Sequence, residues 1–208
     1  MRYLAQLAIG LAFAVVLSVP WGAHSKQQKQ KDPELEKKIE RIFLYQPVRE
    51  EKYDHKAEIE KLGNEPGARA ILINMLTKYR YAKPGTLQYL YLSGATHSVG
   101  RMGIKNAAAP LSQFIFDKSV HENVRAVAVK SLGLIDAEGN KKILLRALHH
   151  TSDYFLIRIN AAEALAKTKD SQALAAIERS ARKETDSYVR QQFEKSAREL
   201  KLNMQPQS

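Results

Sequence analysis

The chain repeats itself, and that constrains its fold more than any single motif. Sliding it along itself by 33 residues lays Val124-Arg125 on Ile157-Arg158, and a further step of 32 brings Val189-Arg190 onto them. Downstream positions follow: Ser131-Leu132-Gly133 meets Ala164-Leu165-Ala166 and, one period earlier, Ser98-Val99-Gly100. In the segment after that, Leu144 falls on Leu111 and Ile177, and Leu148 on Ile115 and Ala181. Each period has room for a first helix, a short turn such as Ile135 to Asn140, and a second helix. One such hairpin cannot hide its own apolar face, so the units must stack.

Apolar residues from Pro33 onward recur at three and four positions with no sustained alternation, so the expected class is all-α, an α-solenoid of stacked antiparallel helix hairpins. Pro33 suits a helix start, and Ile39, Ile42 and Phe43 form a stripe before Gln46-Pro47 ends it. A second helix is predicted from about Glu50 to Leu62, stopped by Gly63-Asn64-Glu65-Pro66-Gly67. A third runs from about Ala68 to Tyr79, and Tyr81-Ala82-Lys83-Pro84-Gly85 is the next break. These helices, residues 33–82, form an N-terminal cap with room for an eroded repeat; 83–202 is the repeat domain and 203–208 a disordered tail.

The segments NVRAVAVKSLGLIDAEGNKKILLRAL (Asn123 to Leu148) and LIRINAAEALAKTKDSQALAAIE (Leu156 to Glu178) resemble HEAT-like repeats of the short, phycobilisome-lyase type. The resemblance covers about Gly85 to Leu200 and implies a solenoid whose usual employment is binding other proteins. The first repeat departs from the pattern, with Leu92 where the others carry Arg and Pro110 inside its second helix. The last stops after one helix, Tyr188 to Leu200, which would serve as a cap kept wet by Glu194, Lys195 and Arg198.

The N-terminus reads as an export signal: Arg2, then the apolar run from Leu4 to Val19, then Pro20-Trp21-Gly22. Ala23 and Ser25 supply the small residues a signal peptidase admits, so residues 1–25 are the expected signal peptide and Lys26 to Asp32 (KQQKQKD) a polar linker. The expected location is periplasmic or secreted, with no integral membrane span after cleavage. The absence of cysteine rules out a lipid-bearing thiol and any disulfide, so stability must come from packing.

Thirty-three Lys and Arg against 22 Asp and Glu give +11, and removing Arg2 leaves 32 − 22, or +10, on the mature chain. This charge falls in register. Ile143, Leu144, Ala147 and Leu148 take one side of a second helix, leaving Lys142, Arg146, His149 and His150 toward another. One period on, Arg146 maps to Arg179, His149 to Arg182 and His150 to Lys183. Since the resemblance implies second helices lining the concave side, these seven residues are the candidate partner-binding site. An exported protein rarely meets nucleic acid, so an acidic protein partner, or an anionic envelope lipid or glycan, is the better match for such a face.

Chemistry-bearing constellations are missing. Thr96-His97-Ser98-Val99-Gly100 resembles a G-x-S-x-G hydrolase elbow but lacks its first Gly, and Ser98 aligns with Ser131, Ala164 and Ser196, a place that wants a small side chain between helices. His55, His97, His121, His149 and His150 show no ligand spacing, and neither GxGxxG nor GxxxxGK occurs. Tyr79, Tyr81, Tyr89 and Tyr91 fit packing better than a sugar platform. Arg125, Arg158 and Arg190 share one repeat position and are expected to pair with acids such as Glu122, Asp153 and Asp186. No catalytic, cofactor-binding or metal-binding residue is therefore expected. The function read from the sequence is a non-enzymatic exported binding or scaffold module. The alternatives are an enzyme or enzyme accessory of the HEAT-like lyase type, which works inside the cell, and a binder of anionic envelope lipid or glycan.

Overall fold

The computed structural model describes residues 32–44, 55–150 and 154–205. The expected signal peptide and nearly all of the linker lie outside the described residues, as do the start expected for the second helix and the last three residues of the tail. The described chain, within the compact unit that begins at Asp32, is helical throughout with no strand among the described residues. Its elements are α1 (Pro33–Leu44), α2 (His55–Leu62), α3 (Ala68–Lys78), α4 (Leu87–Arg101), α5 (Ala108–Phe116), α6 (Glu122–Asp136), α7 (Lys141–Leu148), α8 (Phe155–Leu165), α9 (Ser171–Lys183) and α10 (Ser187–Met204). A 3-10 turn, Lys105–Ala107, leads into α5.

Local chemistry explains where these helices begin. Asp32, Thr86, Asp170 and Asp186 each accept a backbone N–H three residues on, from Leu35, Tyr89, Ala173 and Val189, which satisfies one donor the first turn leaves open. Pro110 sits in the first turn of α5, where its missing N–H costs nothing, so the second helix survives it. The end of α10 differs from expectation: the helix runs past Leu200 to Met204, into residues assigned to a tail. Nothing breaks it before Pro206, and Asn203 donates its side-chain amide to the Ala166 carbonyl at 2.9 Å, tying the extra turn to the end of α8.

The repeats form two layers. The first helices α4, α6, α8 and α10 stack side by side at short range, and each second helix α5, α7 and α9 packs on the first helix that follows it. Small residues allow the close stacking. A Cβ on Gly100 would stand 2.5 Å from Ser131 Oγ, and one on Gly133 would collide with the Cβ of Ala164. Across the same seam Ser131 Oγ donates to the Thr96 carbonyl at 2.7 Å, and Asn160 donates to the Ala126 carbonyl at 2.8 Å. Between the layers lies one continuous core, in which Leu92, Leu111, Leu132, Leu144, Leu165, Ile177 and Phe193 are fully buried. At the N-terminal end α1 lays Phe43 over Gly94 of α4, and α3 packs on α4 in the manner of α5 on α6.

Candidate functional site

The first helices lie closer to one another than the second helices do, so they are called the inner layer here and the second helices, which carry the basic stripe, the outer layer. The glycines and serines on the first helices were the signal that these, rather than the second helices, approach one another.

Charge divides along the same line. On the outer helices α7 and α9 stand Lys141, Lys142, Arg146, Arg179, Arg182 and Lys183 against the single carboxylate Glu178. On the inner helices α6 and α8, Arg125, Lys130 and Arg158 are balanced by Glu122, Asp136 and Glu163. Lys142, Arg146, His149, Arg179, Arg182 and Lys183 are exposed, whereas His150 is half-buried. The guanidinium of Arg146 lies 3.8 Å from the centre of the Phe116 ring and His150 packs near the same ring, so a cation of one hairpin rests on an aromatic of the hairpin before it. Among the described residues, none of Lys142, Arg146, His149, Arg179, Arg182 and Lys183 forms an ion pair.

Other cations are occupied at the junctions between hairpins. Lys141 bridges Glu138 and Asp170, and its bonds to these two, the Asp170 bond foremost, raise its pKa. Arg158 pairs with Glu184 and lies 5.8 Å from the Phe193 ring. Asp186, the partner expected for this arginine row, instead caps α10. Glu184 is nearly buried; burial works to raise its pKa, but the Arg158 bond and the amides of Asp186 and Thr185 outweigh it and hold the carboxyl below its ordinary value. Arg125 is 3% exposed. Asp153, another of the acids expected for the row, lies outside the described residues.

The first repeat, with Leu92 in place of the arginine, solves the same problem from another direction. Asp117 occupies the loop after α5 as Glu184 occupies the loop after α9, and it accepts from Arg80, which follows α3, at 2.7 Å. Arg80 also donates to Gln113 at 3.2 Å. The backbone bond from Ser119, then the Arg80 bonds, lower the Asp117 pKa. Arg80 escaped the sequence reading because it stands outside the 33-residue register. The tip-off was the missing arginine itself, which leaves Asp117 in need of a cation.

The remaining motifs resolve into packing. Ser98 is fully buried within α4, in a helix rather than at a strand-to-helix bend. Tyr91 is buried against Tyr79 with ring centres 5.6 Å apart, Tyr89 stacks edge-on to His121, and Tyr81 is 61% exposed, so the four tyrosines do not make one platform. No group of three metal-ligating side chains comes together among the described residues. No helix among them is long and apolar enough to cross a membrane.

Two layers of helices, small residues at the inner seam and arginine–carboxylate ties between successive hairpins define a helical-repeat scaffold of the protein-interaction class. The family model for HEAT repeats matches residues 108–198, from α5 into α10, and supports a HEAT-like repeat architecture over that stretch. No curated protein matches it.

Proposed function

We propose that this HEAT-like scaffold is an exported, non-enzymatic binding module that engages an acidic protein partner through the cations of its outer helices. The observation that carries the reading is the division between occupied and unoccupied charge. Lys141, Arg158 and Arg80 are tied to carboxylates at hairpin junctions, while Lys142, Arg146, Arg179, Arg182 and Lys183 stand exposed on successive outer helices with no carboxylate paired to them among the described residues. A scaffold that needed cations only for its own cohesion would not array them there. Export rests on the N-terminal pattern of Arg2, the apolar run and the small residues Ala23 and Ser25.

Two measurements test this. The intact mass of the exported protein should correspond to a chain beginning at Lys26; retention of Met1, or confinement to the cytoplasm, would overturn the export half. For binding, envelope extract passed over the immobilised protein should yield a defined protein that is lost with Arg146→Glu plus Arg179→Glu. It should be kept with Lys37→Glu plus Lys38→Glu, which changes the net charge equally on α1. Equal loss from both variants would mean a diffuse positive field rather than a face. Enrichment of lipid or polysaccharide instead of protein would replace the acidic partner by an envelope ligand. Binding should weaken as salt rises, because exposed charges lose their reach at a Debye length of about 8 Å.

A further inference from the structure

At the C-terminal end of the stack the repeat is altered in one coherent way. The interior hairpins are sealed by two leucines, Leu148 on α7 and Leu165 on α8, both fully buried. Their counterparts one period on are Ala181 of α9 and Ala197 of α10, which form the floor of an open groove of about 500 Å³. Shortening both side chains leaves room where the interior of the array has none. The rim changes in the opposite sense. Ala162 of α8 and Ala166 just past its end are fully buried, and the corresponding positions on α10 are Glu194 and Arg198, both exposed.

The rim is cationic. Arg182, Arg190, Arg198 and Lys201 surround the alanine floor, against the carboxylates Glu178 and Glu194. Lys201 holds Glu178 at 2.7 Å, and that bond first, over the cost of burial, lowers the glutamate's pKa. Arg190 occupies the register position of Arg158, whose carboxylate comes from the loop after the next helix; among the described residues the Arg190 guanidinium donates to the Glu184 carbonyl alone, at 3.3 Å. Among the described residues no carboxylate pairs with Arg182, Arg190 or Arg198. The groove thus repeats the two features that hold one hairpin on the next, a slot for an apolar side chain and an arginine awaiting an acid. It cannot take another hairpin of the interior kind, because Glu194 and Arg198 stand where such a hairpin would need alanines.

We infer that this groove receives an acidic amphipathic helix of a protein partner, one apolar side chain seated on Ala181 and Ala197 and carboxylates set on Arg190 and on Arg182 or Arg198. This deepens the acidic-partner reading and rests on it, by naming the partner element and a contact point that shares Arg182 with the outer stripe.

The test uses the full chain and a labelled synthetic helical peptide of about 16 residues, long enough to hold helix with good helix formers. It carries glutamates at i, i+4 spacing and one central leucine, and binding is read by fluorescence anisotropy. Saturable binding is expected. It should weaken about tenfold or more, a change of about 1.4 kcal/mol per decade, with Ala197→Leu, which refills the groove as Leu165 fills the interior without altering charge. Arg190→Glu plus Arg198→Glu should weaken it comparably, and so should replacing the peptide's leucine with serine. Should Ala197→Leu lose its helical circular dichroism, Ala181→Leu makes the same test from the other wall. The groove is refuted if the folded leucine variants bind the peptide as the wild type does, if binding never saturates, or if anionic phosphatidylglycerol vesicles are bound with the same dependence on these variants. Arg146→Glu plus Arg179→Glu should leave peptide binding intact, and loss there would refute the groove in favour of the stripe. If the stripe variant alone loses the envelope partner, the function stands and the groove fails; if neither variant set affects that partner, the acidic-partner reading itself falls.

Discussion

The inner and outer layers of this protein are built from the same repeat yet solve different problems. Inner helices meet through Gly100, Ser131, Gly133 and Ala164, balance their charges on α6 and α8, and exchange side-chain-to-backbone bonds across the seam. Outer helices scarcely touch each other, pack downward onto the next inner helix, and carry nearly all their charge with one sign. Close approach leaves no room for long side chains, so the inner seam holds cohesion; wide spacing leaves room for arginine and lysine, so the outer layer is free to serve recognition.

If that division is right, damage should grade from inner to outer. The largest effect belongs to core residues between the layers: Leu144→Ala and Leu165→Ala should each cost about 2 to 5 kcal/mol through lost burial plus a cavity. Next comes the inner seam, where Gly133→Ala forces α6 away from α8 and should cost about 1 to 3 kcal/mol by overpacking although it adds one methyl. Urea midpoints read both, against a total stability of only about 5 to 15 kcal/mol. A Gly133→Ala midpoint equal to wild type would mean the seam yields freely, and the inner layer would lose its claim to hold the stack.

The tie between Arg158 and Glu184 joins hairpins across the layers and offers a pH test. The Glu184 carboxyl is held below its ordinary 4.5, so the unfolded chain binds the proton more readily. Its contribution is present above pH 4.5 and is lost as pH falls through the lower folded value. Arg158→Met leaves the nearly buried carboxylate without its partner and should cost about 3 kcal/mol at neutral pH. The deficit should be widest above pH 4.5 and shrink below it, where protonation removes the unpaired charge. A deficit that stays constant down to pH 3 would show that Arg158 acts by packing on Phe193 rather than by charge.

Much of this was legible in the chain because a repeat multiplies weak signals. Leu111, Leu144 and Ile177 are each ordinary, but at one period they place a buried position three times, and all are buried. The arginine row was legible for the same reason. What escaped was anything that depends on contacts between periods rather than within one. Which layer is inner depends on glycine and serine meeting across a seam, and the smallness of Ser98 and Ser131 does not by itself say which helices it brings together. Arg80 serving Asp117, and Glu184 rather than Asp186 serving Arg158, depend on loop geometry that no spacing encodes. The groove at Ala181 and Ala197 was visible as two leucines replaced by alanines, but only a stack with an end gives those replacements meaning.

The smallest effects, within the outer stripe, sharpen the comparison most. Arg146 and Arg179 share a register position, and both are exposed, but among the described residues only Arg146 of the two rests on an aromatic ring, its guanidinium lying 3.8 Å from the centre of the Phe116 ring. Reversing Arg179 to Glu should therefore leave stability within about 0.5 kcal/mol of wild type, as surface substitutions do. Arg146→Glu should lose in addition the stacking on Phe116, about 0.5 to 1 kcal/mol at an exposed site, and Arg146→Met should lose the same since the charge is what the ring attracts. Urea unfolding of the three variants, at low and high salt, reads the difference. Cation–ring contact at van der Waals range resists screening, so the Arg146 deficit should persist in high salt while any relief of like-charge repulsion from removing a cation should fade. Should Arg179→Glu cost as much as Gly133→Ala, the outer cations would be structural after all and the distinction between a cohesive inner layer and a recognising outer one would collapse.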